Sequence, residues 1–358
     1  MLHKIKGLQV ISNRDRISSI DIFRSIAIIS VVLFHYNGTL PYGFLGVDLF
    51  FVISGLLIGG LLIKEYNQNE NINYLKFILQ RGFKIWPSYY SFIFIGSIIA
   101  YFFYKEIDTS QIIPIRDLKR YLFFYQNYTG LPFHWSFDHV WSLCVEEHFY
   151  ILLPVLFIFV QRFFKSSFVL FAFIVFTIIF GIIFKILVVL YTSSQDTYSA
   201  THNRIDALAW GVLLSFIIFY NGEYLKKMKF RYVFFILGLF FLIVGLYLEV
   251  YYNSYFYQKV IFHSLLPFCF FLMLLGLYYY DFTYLKILRI IAYYSYNWYL
   301  WHPLFVVFLI KYFGNSILGL TLYLIISFVF AILFTIIIEE KAMQKRDIVL
   351  SKIFNKSI

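Results

Sequence analysis

The chain has 358 residues, 61% of them hydrophobic and 14% charged, with a mean hydropathy of +0.76 and a formal net charge of +11. Soluble domains carry about a quarter charged residues, so an ordinary water-soluble fold is excluded. The period-2 alternation of a membrane β-barrel is missing, while apolar runs of about 20 residues recur, each long enough to cross a bilayer as a helix. Without water in the hydrocarbon, backbone groups must bond within their own segment. The expected fold class is therefore all-α: a polytopic membrane protein of about ten transmembrane helices around a central polar cavity.

In chain order, the start MLHKIKGLQVISNRDR is basic and polar. The apolar run after it is too long for a signal h-region and has no small-residue cleavage site, which predicts a retained first span. Spans are predicted at about 18–38, 44–64, 84–104, 140–160, 167–191, 204–220, 232–251, 260–280, 291–312 and 317–338. With the N-terminus in the cytoplasm, inside segments hold about 21 of the 30 Lys and Arg residues and outside loops about six. The positive-inside rule then puts both tails of a multi-pass protein in the cytoplasm; a bacterial-type inner membrane is the expected location. The +11 charge follows from topology and from attraction to anionic lipid, and implies no nucleic-acid partner. No linker or soluble domain interrupts the pattern, so residues 1–358 read as one membrane domain with a core at about 17–338. Cys144 and Cys269 lie inside apolar spans and form no disulfide framework or metal pattern.

A charged side chain at the bilayer centre costs roughly 2.5–3.5 kcal/mol on insertion scales, so the polar residues at depth carry the information. In the first span Arg24 and His35 are eleven residues apart; they share one helix face, separated by about 16 Å along the axis. Asp48 opens the second span, where Gly55, Gly59 and Gly60 permit close helix packing. It faces either the cavity or the positive end of its own helix. Arg81 and Lys84 stand one turn apart just before the third span, a placement that suits a phosphate-rich ligand. The fourth span, HVWSLCVEEHFYILLP, puts Ser142, Glu146 and Tyr150 on one face at i, i+4 spacing, with Glu147 about 100° away. Pro154 leaves the Tyr150 carbonyl without its helical donor. Arg204 and Asp206 open the sixth span, as an interfacial ion pair or as cavity residues. His302 precedes Pro303, where a kink is predicted. One central cavity would accommodate all of these residues, with cations at its cytoplasmic mouth and His35, Glu146 and His302 farther in.

These segments resemble the acyltransferase-3 family of integral membrane acyltransferases over about residues 17–338. The family's Arg and His separated by ten residues correspond to Arg24 and His35. GVDLFFVISGLLI carries Asp48; WSLCVEEHFYILLP carries Glu146 and Tyr150; RIDALAWG and SYNWYLWHP follow in the family's order. One departure is that the family's RxxR motif ends here in Lys84, which keeps the charge but loses the bidentate fork. Some relatives carry an extra span and an SGNH hydrolase-like domain; without them this chain is expected to act alone or to pass its acyl group to a partner.

The resemblance implies a membrane O-acyltransferase, most often O-acetyl. It would move an acyl group from cytoplasmic acyl-CoA, a donor substrate, to a hydroxyl of a cell-envelope carbohydrate such as a capsular, exo- or lipopolysaccharide, with no metal involved. Arg24, Arg81 and Lys84 would bind the phosphates of CoA. His35 would act as base or acyl carrier, and Glu146 would orient its imidazole. Tyr150, His302, Arg204 and Asp48 are supporting or transition-state candidates. The alternatives are a transporter or flippase for a glycan or anionic solute, and an acyltransferase acting on a small molecule such as a macrolide.

Overall fold

The computed structural model describes residues 16–69, 71–128, 134–191, 198–252 and 254–354. The basic residues of the N-terminal tail up to Arg14, whose cytoplasmic placement is an expectation, lie outside these. The described residues hold helices and no strands. Nine of the helices are long and apolar enough to span a membrane.

The helices are α1 (Ser18–His35), α2 (Leu45–Asn69), α3 (Tyr74–Tyr104), α4 (Trp141–Phe163), α5 (Ser167–Tyr191), α6 (Thr201–Lys227) and α7 (Tyr232–Tyr251). After these come α8 (His263–Leu277), α9 (Lys286–Trp301), α10 (Val306–Phe313), α11 (Ile317–Phe334) and α12 (Glu340–Phe354). The ninth predicted span, 291–312, is where the chain departs from a continuous helix. Pro303 cannot donate to the preceding turn, and His302–Phe305 forms a 3-10 segment between α9 and α10. Neither half alone reaches the length of a span. A π turn, Tyr257–Phe262, leads into α8, and another, Thr335–Glu339, joins α11 to α12.

Burial sorts the helices. The α2 span is 78% buried and α7 only 11%, so α2 runs through the middle and α7 lies at the lipid-facing edge. Helix α2 packs most extensively on α6, and glycine makes that approach possible. A Cβ on Gly55 would lie 1.9 Å from the Leu208 carbonyl oxygen, and one on Gly211 2.0 Å from that of Val52. Helices α1, α2, α3, α4 and α9 surround one interior cavity.

Helix α3 begins at Tyr74, ten residues before the predicted span, capped by the Asn73 side chain, which accepts from the Lys76 amide at 2.9 Å. Arg81 and Lys84 are therefore on the helix itself, not ahead of it. Its 31 residues extend about 46 Å, well beyond a hydrocarbon core of about 30 Å. The first turns can project past the apolar layer and hold two cations at its edge. In the connection after α3, Asp108 accepts from the Ser110 amide and hydroxyl and from Gln111. These bonds hold its carboxyl below the usual range.

Candidate active site

Five helices wall a partly open cavity. Arg24 from α1, Ser54 from α2, Arg81 and Lys84 from α3, Glu146 and Tyr150 from α4, and Tyr299 from α9 line it. The i, i+4 spacing of α4 delivers Ser142, Glu146 and Tyr150 to this one wall. Tyr150 donates to Glu146, and the Ser54 hydroxyl donates to the same carboxylate oxygen at 3.2 Å. The Arg81 guanidinium lies 4.8 Å from the Tyr150 ring centre and donates to its hydroxyl at 3.3 Å. Arg24 donates to Ser295 at 3.0 Å. Arg24 and Arg81 thus share the cavity wall with one carboxylate, an arrangement with surplus positive charge for a polyanionic ligand.

Lys84 is engaged more closely than the sequence suggests. It is ion-paired with Glu339, whose other oxygen accepts from Asn297 at 2.7 Å. Glu339 ends the π turn Thr335–Glu339, in which the Glu340 amide reaches back five residues to Thr335. Such turns shift the register of the following side chains and recur at functional sites. The charge at IIIEE is visible in the sequence, but its partner depends on a register that periodicity does not reveal.

His35 lies outside the residues that line the cavity. The expected contact between its imidazole and Glu146 is not made. Glu146 is taken up by Tyr150 and Ser54, while His35 turns to His302, with Nδ1 and Nε2 at 3.2 Å and ring centres 4.8 Å apart. This pairing determines where the protons sit. His302 Nδ1 faces the carbonyl oxygens of Trp298 and Tyr299 at 3.0 and 2.8 Å. Carbonyls only accept, so His302 carries its proton on Nδ1 and leaves Nε2 as an acceptor. His35 Nδ1 then lies between two acceptors, His302 Nε2 and the Val31 carbonyl at 2.8 Å, and must carry the proton. Its Nε2 then carries no proton. The partner of His35 is an imidazole where a carboxylate is expected, because Pro303 and the 3-10 segment turn His302 inward, fully buried.

A third imidazole, missed in the sequence although it immediately precedes VWSL, joins this pair. His139 donates from Nε2 to the Leu300 carbonyl at 3.1 Å and its ring centre lies 5.5 Å from His302. Tyr299 links the histidines to the cavity. Its ring lines the cavity and packs against both His139 and His302. Its hydroxyl donates to the His139 carbonyl at 2.7 Å and lies 2.7 Å from Ser142 Oγ.

Asp48 and Arg204 form an ion pair with each other, both fully buried between α2 and α6. Neither lines the cavity. Arg204 does not pair with its sequence neighbour Asp206. Asp206 instead meets Lys185 of α5 at 2.6 Å, also fully buried. Lys185 sits in the middle of an apolar run, a signal the sequence carries plainly. The two pairs tie α2, α5 and α6 together. No group of three or more metal-ligating side chains occurs among the described residues.

Comparison with known proteins gives a match to the family described as acyltransferase domain over residues 17–340. The chain is similar to O-acetyltransferase OatA of Staphylococcus aureus, 31% identical over 224 residues, which is 59% of this chain and 36% of that protein. It is 28% identical over 220 residues to peptidoglycan O-acetyltransferase OatA of Listeria monocytogenes, covering 58% of this chain and 35% of that protein. A putative O-acetyltransferase of S. aureus is 28% identical over 234 residues, 60% of this chain and 37% of that protein. The matches thus take in little more than a third of these relatives' length. No solved structure shows significant similarity.

Proposed function

Since this chain belongs to the acyltransferase-3 family, we propose that it acts as one membrane domain that moves an acetyl group from acetyl-CoA to a hydroxyl of a cell-envelope carbohydrate. The single observation that carries this reading is the basic cavity joined, through Tyr299 and then His302, to the His35 imidazole with its bare Nε2. The S. aureus and L. monocytogenes relatives are O-acetyltransferases by name, the latter of peptidoglycan. A surface glycan is therefore the acceptor class that fits.

Arg24 and Arg81 hold the phosphates of the donor at the cavity mouth, and Lys84 adds its charge where Glu339 allows. The pantetheine arm runs inward along Ser54, Glu146 and Tyr299, carrying the thioester toward the histidines. His35 Nε2 takes the proton of the acceptor hydroxyl. The oxygen attacks the thioester carbonyl, the C–S bond breaks, and the imidazolium returns the proton to the leaving thiolate. His302 keeps His35 in the tautomer this needs and shares the positive charge that forms.

A second route is favoured by the placement of Tyr299 between cavity and histidines. In it His35 Nε2 itself takes the acyl group, releases CoA on the cavity side, and gives the group to the acceptor on the other. On the positive-inside expectation the donor side is cytoplasmic and the acceptor side extracytoplasmic.

The test is mass spectrometry of envelope glycans from cells with and without the gene, complemented by wild type or by His35→Ala. Loss of one acetyl mass per modified sugar, restored by wild type alone, is expected. Unchanged glycans, or glycan movement across vesicles without CoA consumption, would overturn the reading.

A further inference from the structure

We infer that the bundle carries a second, aromatic subsite beside His35, which seats a pyranose ring of the acceptor. This rests on the proposed transfer to a carbohydrate. The two are separable, because a binding site can be measured without the reaction.

Five rings converge at the end of the bundle where α1 stops and α2, α4 and α6 begin. Phe34 is the last residue before His35 and meets its ring edge-on at 5.5 Å between centres. Phe44, from the loop between α1 and α2, lies 5.5 Å from Phe34, 6.0 Å from Tyr42 and 6.0 Å from Tyr198. Tyr198, just ahead of α6, lies 4.8 Å from Trp141, the first residue of α4. All five rings are partly exposed, as is His35.

Aromatic residues are common where helices leave a membrane, but belt residues face the lipid. Phe102, at the far end of α3, does so and is 70% exposed. These five instead touch one another across four separate chain segments and end on the proposed base. Membrane anchoring gives no reason for that convergence.

The subsite also has a polar floor. The Arg204 guanidinium lies 4.9 Å from the Tyr198 ring centre and is fully buried. Its Nε and Nη1, and Asp48 Oδ2, have no hydrogen-bond partner among the described residues. Buried polar atoms are nearly always paired, so three on one ion pair next to Tyr198 leave capacity for hydroxyl groups. A pyranose has a C–H face that packs on aromatic rings and a rim of hydroxyls that hydrogen-bond. An aromatic wall with a few convergent polar groups has the matching chemistry. Trp141 precedes Ser142, which lines the donor cavity, so the two subsites meet at the start of α4.

The experiment is calorimetric titration of the full chain in lipid nanodiscs with chitotriose and with maltotriose, no donor present. Saturable binding of at least one trisaccharide is expected. It should weaken roughly tenfold or more with Trp141→Leu and recover to within about threefold with Trp141→Phe, which keeps a ring. Phe44→Leu gives an independent reading should Trp141→Leu fold poorly, and should also weaken binding. Absence of binding to both sugars, or binding to Trp141→Leu and Phe44→Leu equal to wild type, overturns the subsite. Binding without acyl transfer to any sugar would instead sink the proposed function and leave the subsite standing. Acyl transfer to a simple alcohol without sugar binding would do the reverse.

Discussion

His302 shows how much one residue's surroundings decide. Its sequence context, a histidine before a proline in an apolar span, is equally compatible with a structural and a chemical role. The two carbonyls at its Nδ1 fix its tautomer, and that tautomer fixes the proton on His35. His302→Phe removes the acceptor while keeping an aromatic ring. The expected outcome is a fall in kcat for acetyl transfer of roughly 10² to 10⁴-fold, the range for loss of positioned acid–base chemistry, with CoA affinity by titration within about threefold of wild type. His302→Gln, which can still offer an acceptor, should recover part of the loss. Equal loss in both variants would mean that His302 only fills space. Most of the polar residues that line the cavity are legible one at a time, because a charge in an apolar run declares itself. Their pairing is not. Glu146 does not meet His35, because i, i+4 geometry gives Glu146 a nearer partner in Tyr150 and the 3-10 turn at Pro303 brings another imidazole to His35.

At the scale of elements, nine of the ten predicted spans appear as membrane-length helices, since about 20 apolar residues leave the backbone few other options. Boundaries were less accessible. Helix α3 extends ten residues into a polar stretch because Asn73 caps it, and α11 continues through a π turn into α12 because its polar residues remain helical. Close helix pairs are where the sequence signal was sharpest. Gly55 was read as a packing position, and it lies directly against Leu208. Gly55→Ala would drive a methyl group into backbone with nothing flexible to yield. The expected cost is about 1–3 kcal/mol, seen as a lower melting temperature in detergent, whereas Gly60→Ala, whose nearest neighbour would be 3.9 Å away, should melt as wild type. Equal melting of the two variants would contradict the packing described for α2 and α6.

For the molecule as a whole, the deciding feature is where charge is buried. Asp48–Arg204 and Asp206–Lys185 tie α2, α5 and α6 together at full burial. A lone charge left behind there is far costlier than the pair is favourable. Lys185→Met should destabilise the protein by about 3–5 kcal/mol, while Lys185→Met with Asp206→Leu should recover most of that by thermal unfolding. A single variant as stable as wild type would show that the pair is not buried. Arg24 and Arg81 stand elsewhere, on a cavity wall.

The most direct test is a single-turnover assay of purified protein in nanodiscs, with radiolabelled acetyl-CoA and a saccharide acceptor, comparing wild type with His35→Ala. The account predicts labelled saccharide from wild type, none from His35→Ala, and CoA binding by the variant close to that of wild type. Transfer by His35→Ala at the wild-type rate would contradict it.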